Sequence, residues 1–236
     1  MLGNRKPRSI RSAIMHLISH TCAFSLYAWV MDYGQPIETV VPGVQGRVLG
    51  VLARTDTELT MRTVAGLADV SVNRAATVLN RLIELGVVHR RDAGSAALVS
   101  LERENQVARL LLELLDVRRT VIERLSAEAS MIQPAPASLV LYGSFARGDA
   151  LSDSDIDVLA VRAAAVSPDV ERWSDSLGCW AESASRIAGN PVRVVAAGIE
   201  ELPRLLRRRG TVWRSAASEG IVLIGASLTE LATAAR

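Results

Sequence analysis

The strongest constraint in this sequence is a strand, a glycine-rich turn and a second strand within residues 138–161. Residues 138–142 form a mainly apolar run typical of a buried strand, and the run stops at Gly143-Ser144-Phe145-Ala146-Arg147-Gly148. After a polar loop, Ser154-Asp155-Ile156-Asp157-Val158 opens the second apolar run. Two glycines in such a turn suggest a P-loop, but Asp149-Ala150 stands where a P-loop has Lys-Ser or Lys-Thr, which excludes one.

Two aspartates in the second strand suggest metal chemistry. Asp155 and Asp157 are two residues apart, so a strand places both carboxylates on one face and turns Ile156 into the core. Paired carboxylates on a rigid face can hold one or two Mg²⁺ ions. Gly143 and Ser144, where a strand gives way to a helix, leave room for a polyphosphate against backbone N–H groups. Metal ions that bridge phosphate oxygens neutralise the charge that builds up during an in-line displacement.

This segment resembles the minimal nucleotidyltransferase domain of the polymerase-beta superfamily. The family signature is G-S-x-A-R-G, five residues, then S-D-x-D and a hydrophobic residue, and residues 143–158 match it at every defining position. The resemblance extends over about residues 134–226 and implies that Asp155 and Asp157 are the catalytic and metal-binding residues, with Mg²⁺ as the cofactor. The residues expected to bind the nucleotide, with ATP as the expected triphosphate, are Gly143, Ser144, Arg147 and Ser154. The alternative is an acidic turn between two strands of another α/β domain.

The sequence departs from that family at one position. Family enzymes usually carry a third aspartate on a following strand, where it completes the metal site and can act as a base. Here the following strand, after a helix over 170–188, is residues 192–196, and its only charged residue is Arg193. A cation at this position would compete with the metal or bind the triphosphate. Glu200 and Glu201 reach the site only if the next loop folds back.

A second unit is expected over residues 45–101. A short helix is predicted at 60–68, and Ser71 is a suitable N-cap for a longer helix that stops at Gly86. Two short strands around a polar turn at 89–95 follow. This order resembles the multiple-drug-resistance-regulator and related winged-helix families, and the resemblance implies a winged helix-turn-helix.

The helix that begins after Ser71 would present polar side chains able to reach base edges and phosphates in a major groove. Between residues 71 and 91, four arginines stand against one acid, Glu84. Double-stranded DNA is the expected partner, with contacts from Ser71, Asn73, Arg74, Thr77 and Arg81 on the helix and from Arg90 and Arg91 in the wing. The alternative is a protein-interaction winged helix whose polar face is only solvated.

Residues 102–132 are predicted to form one long helix, which the Gln-Pro-Ala-Pro segment at 133–136 ends. Apolar residues alternate three and four apart, typical of a coiled-coil seam: Val107, Leu110, Leu114, Val117 and Val121. This helix would either mediate a homodimer or pack the two domains together.

The net charge of +2 comes from the first eleven residues, because the rest of the chain has slightly more acids than bases. Any basic surface in the body must therefore be local. Ser12 to Met31 carries no charge and, with its basic flank, resembles a signal peptide or a membrane span. Polar residues interrupt this segment, so we favour a true start at Met15 or Met31, or a loosely packed helix, over an anchor. His16 and His20 within it lack the glutamate of an H-E-x-x-H zinc site.

Two cysteines, Cys22 and Cys179, exclude a disulfide scaffold and a zinc finger. The sequence predicts a cytoplasmic α+β protein that does not associate with membranes. Its expected parts are an extension (1–44), a winged helix-turn-helix (45–101), a linking or dimer helix (102–133), a nucleotidyltransferase-like domain with a mixed sheet and helices (134–226) and a tail (227–236). The expected activity is Mg²⁺-dependent transfer of a nucleotide from a triphosphate to a hydroxyl, in a protein that resembles the nucleotidyltransferase antitoxins and has a toxin partner. The alternative is a transcription regulator whose second domain binds nucleotide without turnover.

Overall fold

A computed structural model of the chain describes residues 31–94, 96–150, 154–166, 171–208 and 210–234. The predictions for residues 1–30, including those for His16 and His20, lie outside these ranges. Within them, helices and sheets are mixed, as the α+β class predicts, and no helix combines the length and the hydropathy needed to cross a membrane. We describe an N-terminal unit, residues 36–115, and a C-terminal unit, residues 117–234, because their buried side chains form separate cores.

The N-terminal unit packs helices against a small antiparallel sheet whose strand order is β1-β3-β2. Its elements are α1 (Pro36–Val40), α2 (Val44–Ala53), β1 (Leu59–Thr60), α3 (Met61–Leu67), α4 (Val72–Glu84), β2 (Val88–Ala93), β3 (Ala96–Leu101) and α5 (Gln106–Leu115). The Ser71 hydroxyl caps α4, since it accepts a hydrogen bond from the Arg74 N–H at 3.4 Å. Gly86 follows α4 in the left-handed conformation, with φ of +69°. The longer helix predicted between Ser71 and Gly86 is therefore present.

The sequence predicts one helix over 102–132, whereas the structure has two. Helix α5 ends at Leu115, and α6 (Val117–Ala129) begins after Asp116, whose φ of −97° and ψ of 11° interrupt the helix. The two helices serve different cores: α5 buries Ala108 in the N-terminal unit, and α6 buries Val121 in the C-terminal unit. A single seam of a/d residues is therefore not available to a partner chain.

The C-terminal unit is built on a four-stranded sheet of order β6-β5-β4-β7, in which β5 and β6 are parallel and the other pairs antiparallel. After α6 its elements are β4 (Ser138–Tyr142), α7 (Gly143–Arg147), β5 (Ile156–Arg162), α8 (Glu171–Ala188), β6 (Val192–Gly198), a 3₁₀ turn (Ile199–Glu201), α9 (Leu202–Arg207), α10 (Val212–Glu219), β7 (Ile221–Gly225) and α11 (Leu228–Ala234). Strand β7 is an edge strand next to β4, and α11 forms within the predicted tail.

Both faces of this sheet are covered. Helices α6 and α8 pack on one face with Trp173 and Trp180, and α9, α10 and α11 pack on the other with Trp213. Successive strand residues point to opposite faces. Asp157 and Arg193 therefore share the second face, at the ends of β5 and β6 that lie nearest the glycine-rich turn.

Candidate functional site

The turn after β4 brings backbone against the carboxylate of Asp157. Gly143 has φ of +77°, a conformation that L side chains rarely adopt. A Cβ atom on Gly143 would lie 2.9 Å from Asp157 Oδ2, closer than real Cβ atoms come to other heavy atoms. Tyr142 and Asp157 are also cross-strand neighbours between β4 and β5. Only glycine at position 143 thus allows α7 to begin directly beside this carboxylate.

Asp155 and Asp157 flank Ile156, which is fully buried as predicted. The Asp155 side chain is 22% exposed, and Asp157 is half-buried. Burial raises the pKa of the Asp157 carboxyl, the nearby Asp155 charge raises it further, and Arg193 opposes both effects. Burial, with a smaller contribution from the Asp157 charge, also raises the pKa of Tyr142 to about 12. The two carboxylates therefore form a pair whose mutual repulsion a cation would relieve.

Arg193 supplies one such cation. It lies beside Asp157 in the parallel register of β5 and β6, and its Nη2 atom lies 2.7 Å from Asp155 Oδ2. The Arg193 side chain is 72% exposed, so it can leave the carboxylate without disturbing the core. The strand on which a third aspartate would be expected therefore carries Arg193 instead. This arginine pairs with Asp155, the first of the two aspartates.

The described ranges contain no group of three or more His, Cys, Asp or Glu residues that could hold a metal ion. Glu200 pairs with Arg162 at 3.4 Å, and Glu201 accepts a hydrogen bond from the Gly198 N–H at 3.2 Å. Both contacts lie at the far end of β5 and β6. Because Arg162 is five residues beyond Asp157 on an extended strand, about 16 Å separates the two ends. Neither glutamate replaces the missing carboxylate.

Arg147, predicted to bind the nucleotide, is occupied by two carboxylates. Its Nε atom donates to Asp149 Oδ2 at 3.1 Å, and its Nη1 atom donates to Glu219 Oε1 at 3.4 Å. Glu219 is itself held by the Ser215 hydroxyl at 2.6 Å. The side chain of Arg147 is 42% exposed, so these pairs can be exchanged for a phosphate at modest cost.

The two predicted serines occupy different places. Ser144 lies in the first turn of α7, next to Gly143. The Ser154 carbonyl accepts a hydrogen bond from Asn190 Nδ2 at 3.2 Å, and the same amide bonds to the backbone N–H and carbonyl of Met31. Asn190 is buried, and it fixes the approach to Asp155. The sequence does not mark Asn190 as a site residue, because nothing local indicates these long-range contacts.

Arg118, on α6, is a second residue that sequence reasoning missed. Its Nε atom donates to the Phe145 carbonyl at 2.7 Å, and its Nη2 atom donates to the Ala146 carbonyl. Both acceptors belong to α7. The sequence holds no signal for this contact, since Arg118 is one of many arginines and lies well before the turn.

The residues predicted to contact DNA are all exposed on the N-terminal unit: Ser71, Asn73, Arg74, Thr77, Arg81, Arg90 and Arg91. Three of the arginines are paired, Arg81 with Glu84 at 3.2 Å, Arg90 with Asp92 at 3.0 Å and Arg91 with Glu58. In the described part of the chain Arg74 makes no ion pair. Glu58 and Asp92 lie outside residues 71–91, so the local charge count overstates how basic this surface is.

Residues 119–211 match the family model described as a nucleotidyltransferase domain. The matched region includes the turn, both aspartates and Arg193. It covers less than half of the chain, and the N-terminal unit lies outside it. The C-terminal unit therefore carries a nucleotidyltransferase-like domain.

Two solved structures are similar to part of the chain. One is a mutant of the toxin–antitoxin MntA–HpeT, with 15% identity over 48% of this chain and 82% of that chain and a TM-score of 0.33. The other is a toxin–antitoxin with AMP-PNP, with 19% identity over 49% of this chain and 82% of that chain and a TM-score of 0.32. No curated protein matches the sequence.

Proposed function

We propose that the C-terminal unit transfers a nucleotide from a triphosphate, with ATP as the expected donor, to a hydroxyl acceptor in a Mg²⁺-dependent reaction. The observation that carries this proposal is the approach of Gly143 to the carboxylate of Asp157, within a region that matches a nucleotidyltransferase family model. The approach sets the first turn of α7, whose leading N–H groups have no acceptor within the helix, beside an acidic side chain, the combination that a metal-bound polyphosphate requires.

Asp155 and Asp157 would hold the Mg²⁺. Their chemistry fits a magnesium ion that keeps several waters, because carboxylate oxygens are its preferred ligands. When bound, the ion would neutralise charge on the phosphate oxygens. Arg193 would compete with the ion for Asp155, since its Nη2 atom already pairs with Asp155 Oδ2.

The remaining residues of the chain would position the nucleotide. Gly143 and Ser144 offer backbone N–H groups to the phosphates. Arg147 can turn from its carboxylate partners to a phosphate, and Ser154 lines the approach to Asp155. Arg193, once free, can contact the triphosphate. Because none of these residues is a general base beside Asp155, we expect transfer to be slow; a base typically contributes about 10²- to 10⁴-fold.

Incubation of the protein with labelled triphosphates, Mg²⁺ and a cell lysate tests this activity. We expect label to appear on one acceptor class, to require the divalent ion and to be absent with Asp157→Ala. Tight binding of ATP by the purified protein together with no transfer to any lysate component would contradict turnover and favour the second candidate function below.

For the N-terminal unit we propose a winged helix-turn-helix that binds double-stranded DNA. Support comes from the element order, in which α3 and the capped α4 are followed by the β2–β3 hairpin, and from the exposed polar face of α4. Since the paired arginines are exposed, phosphates can replace their acidic partners. Affinity for the DNA upstream of its own gene should therefore fall steeply with salt. Salt-independent binding, or none, would favour an interaction module.

An antitoxin-like role with a toxin partner belongs to the same proposal and rests on the sequence resemblance alone. We also propose that the chain forms a homodimer. The contact surface would lie on α5, where Val107 and Leu110 are 56% and 54% exposed. Sedimentation of the full chain tests it. A dimer that dissociates with Leu110→Arg supports this surface, and a monomer at all concentrations contradicts it.

The second candidate function is a transcription regulator whose C-terminal unit binds nucleotide without turnover. The ion pair between Arg193 and Asp155 favours it, because the pair removes one metal ligand and occupies the place of a third carboxylate. Under this function, ATP would change the affinity for DNA, and by linkage DNA would change the affinity for ATP by the same factor.

A further inference from the structure

The α7 helix, which begins with Gly143 and Ser144, cannot hold its position alone. It has only five residues, fewer than an isolated helix needs, and its last carbonyl groups have no partner within the helix. Arg118 donates to the carbonyls of Phe145 and Ala146. The Gly148 N–H also donates to the Phe145 carbonyl, at 3.3 Å, so Arg118 adds to the one contact that the end of the helix makes there itself. A cation at this end of a helix also interacts favourably with the helix dipole.

Phe145 is held from two sides. The Arg118 guanidinium lies 5.7 Å from the centre of its ring, and Tyr33 meets the same ring edge-on, with ring centres 4.8 Å apart and planes at 88°. The Tyr33 hydroxyl donates to the Ala188 carbonyl at 2.5 Å, which fixes the tyrosine on the C-terminal unit. Phe145 is 1% exposed, so the three side chains form one packed group around α7.

Both partners of Phe145 lie just outside the N-terminal unit, one on either side of it in the chain. Tyr33 lies three residues before α1, and Arg118 lies in the first turn of α6, directly after the interruption at Asp116. Arg118 also lies just outside residues 119–211, the region that matches the nucleotidyltransferase family model. If α5 moved relative to α6, the movement would pass along the backbone of Asp116 and Val117 to Arg118. The Arg118 side chain would then transmit it to α7.

We propose that Arg118 is a positioning residue for the nucleotide site, which holds α7 in place and makes its position depend on the N-terminal unit. This inference rests on the proposed nucleotide-binding function. Arg118 does not touch the nucleotide; it fixes the backbone that does. Tyr33 supports the same helix from the other side of Phe145.

The test uses the full chain with three substitutions on α6. Arg118→Gln removes the charge and the forked donor, Arg118→Lys keeps the charge but cannot reach two carbonyls equally, and Arg124→Gln is the control. Arg124 is exposed on the same helix, and its side chain makes no hydrogen bond in the part of the chain that the structure describes. Binding of ATP and of AMP with Mg²⁺ is measured by calorimetry, and exchange of the α7 amides by hydrogen–deuterium exchange without nucleotide.

We expect Arg118→Gln to speed exchange at Phe145 to Gly148 and to weaken ATP binding about tenfold, as for the loss of charge-assisted hydrogen bonds. AMP binding should weaken less, because the proposed function assigns the start of α7 to a triphosphate and AMP carries a single phosphate. The ATP affinity and the amide exchange of Arg118→Lys should lie between those of the parent and of Arg118→Gln. Both quantities should be the same in Arg124→Gln as in the parent. A general loss of stability would instead weaken ATP and AMP equally and lower the melting temperature.

Unchanged amide exchange in Arg118→Gln would overturn the inference, since α7 would then not depend on this contact. Faster exchange with unchanged ATP affinity would overturn it too, because the position of α7 would not matter for binding. If the parent protein binds no ATP, the proposed function itself fails, and this is seen before any substitution is compared.

Discussion

The two surfaces to which the proposals assign ligands both carry arginine–carboxylate pairs, but they differ in what fixes the carboxylate. On the N-terminal unit, Arg90 and Asp92 are 45% and 74% exposed, and both side chains extend from a hairpin into solvent. In the C-terminal unit, Asp155 is 22% exposed, while its partner Arg193 is 72% exposed. In the first pair both partners are thus exposed, whereas in the second a largely buried carboxylate meets an exposed arginine.

This difference determines which ligand each surface can accept. Exposed pairs contribute about 0–1 kcal/mol, so an anion such as a DNA phosphate can displace Asp92 from Arg90 at little cost. At the C-terminal site the competitor is a cation instead, because the fold already holds the carboxylates together and the repulsion between them is not fully relieved. The predictions below separate these two behaviours.

The largest expected effect comes from removing either carboxylate of the C-terminal site. Asp155→Ala or Asp157→Ala should weaken Mg²⁺-dependent ATP binding by about a hundredfold or more, since one carboxylate neutralises the ion poorly. The fold should persist, because both side chains are at least partly exposed. Calorimetry measures the affinity, with Asp175→Ala, an exposed aspartate on α8, as the matched control. Unchanged affinity in either variant would remove the metal assignment.

The next largest effect comes from replacing Arg193. Arg193→Asp should raise the transfer rate about tenfold or more, because it frees Asp155 and adds the carboxylate that could act as a base. Arg193→Gln only frees Asp155, so it should tighten Mg²⁺ binding without the full gain in rate. Radiolabel transfer at saturating Mg²⁺ distinguishes the two variants. A parent enzyme that already transfers at about 1 s⁻¹ or faster would show that another group supplies the base.

The local part of the C-terminal site could be predicted from sequence because it is short-range. A buried strand, a turn that needs glycine and a strand with alternating aspartates follow from the order of residues 138–161, and the structure has these elements. The position of Arg193 could also be anticipated, since a strand, a helix and a strand give a parallel pair with a predictable neighbour. The sequence did not indicate that Arg193, although it lies beside Asp157 in the register, would pair with Asp155.

The missed features all depend on contacts between distant parts of the chain. Glu58 neutralises Arg91 across β1 and β3, and Arg118 reaches α7 from another helix. The interruption at Asp116 was missed for a related reason: the spacing of apolar residues continues through it, although the residues before and after it pack into different cores. Periodicity indicates which face of a helix is apolar, but not which core receives that face.

A smaller effect is expected on the N-terminal surface, and it compares an unpaired arginine with a paired one. Arg74→Ala should cost about 1–3 kcal/mol of DNA binding and reduce discrimination between sequences if Arg74 reads a base. Arg90→Ala should weaken binding less and equally for all sequences, because a wing arginine contacts only phosphate and loses Asp92 to do so. Fluorescence anisotropy with cognate and scrambled duplexes measures both. Equal losses for the two variants would contradict the base-reading role of Arg74.

The smallest expected effect is on the stability of the fold, and it concerns the charge of the Asp157 carboxylate. Because the pKa of Asp157 is raised in the folded protein, the folded state binds its proton more tightly than the unfolded chain does. Its contribution to stability is therefore greatest below the unfolded value, near pH 4, and is lost as the pH rises through the folded value. At pH 7 Asp157→Asn should raise the melting temperature slightly, the effect being limited by partial exposure and by Arg193.

The rise with Asp157→Asn should shrink between pH 7 and pH 4, and Asp175→Asn, at an exposed position on α8, is the matched control. Mg²⁺ should raise the melting temperature of the parent at pH 7 and leave Asp157→Asn nearly unchanged, since an ion that binds only the folded state stabilises it. Scanning calorimetry at both pH values, with and without the ion, measures all four conditions. A lower melting temperature for Asp157→Asn at pH 7 would mean that attraction to Arg193 outweighs burial and repulsion from Asp155. Arg193 would then already neutralise the two carboxylates. The C-terminal site would not differ from the N-terminal surface, where arginines also neutralise their acidic partners.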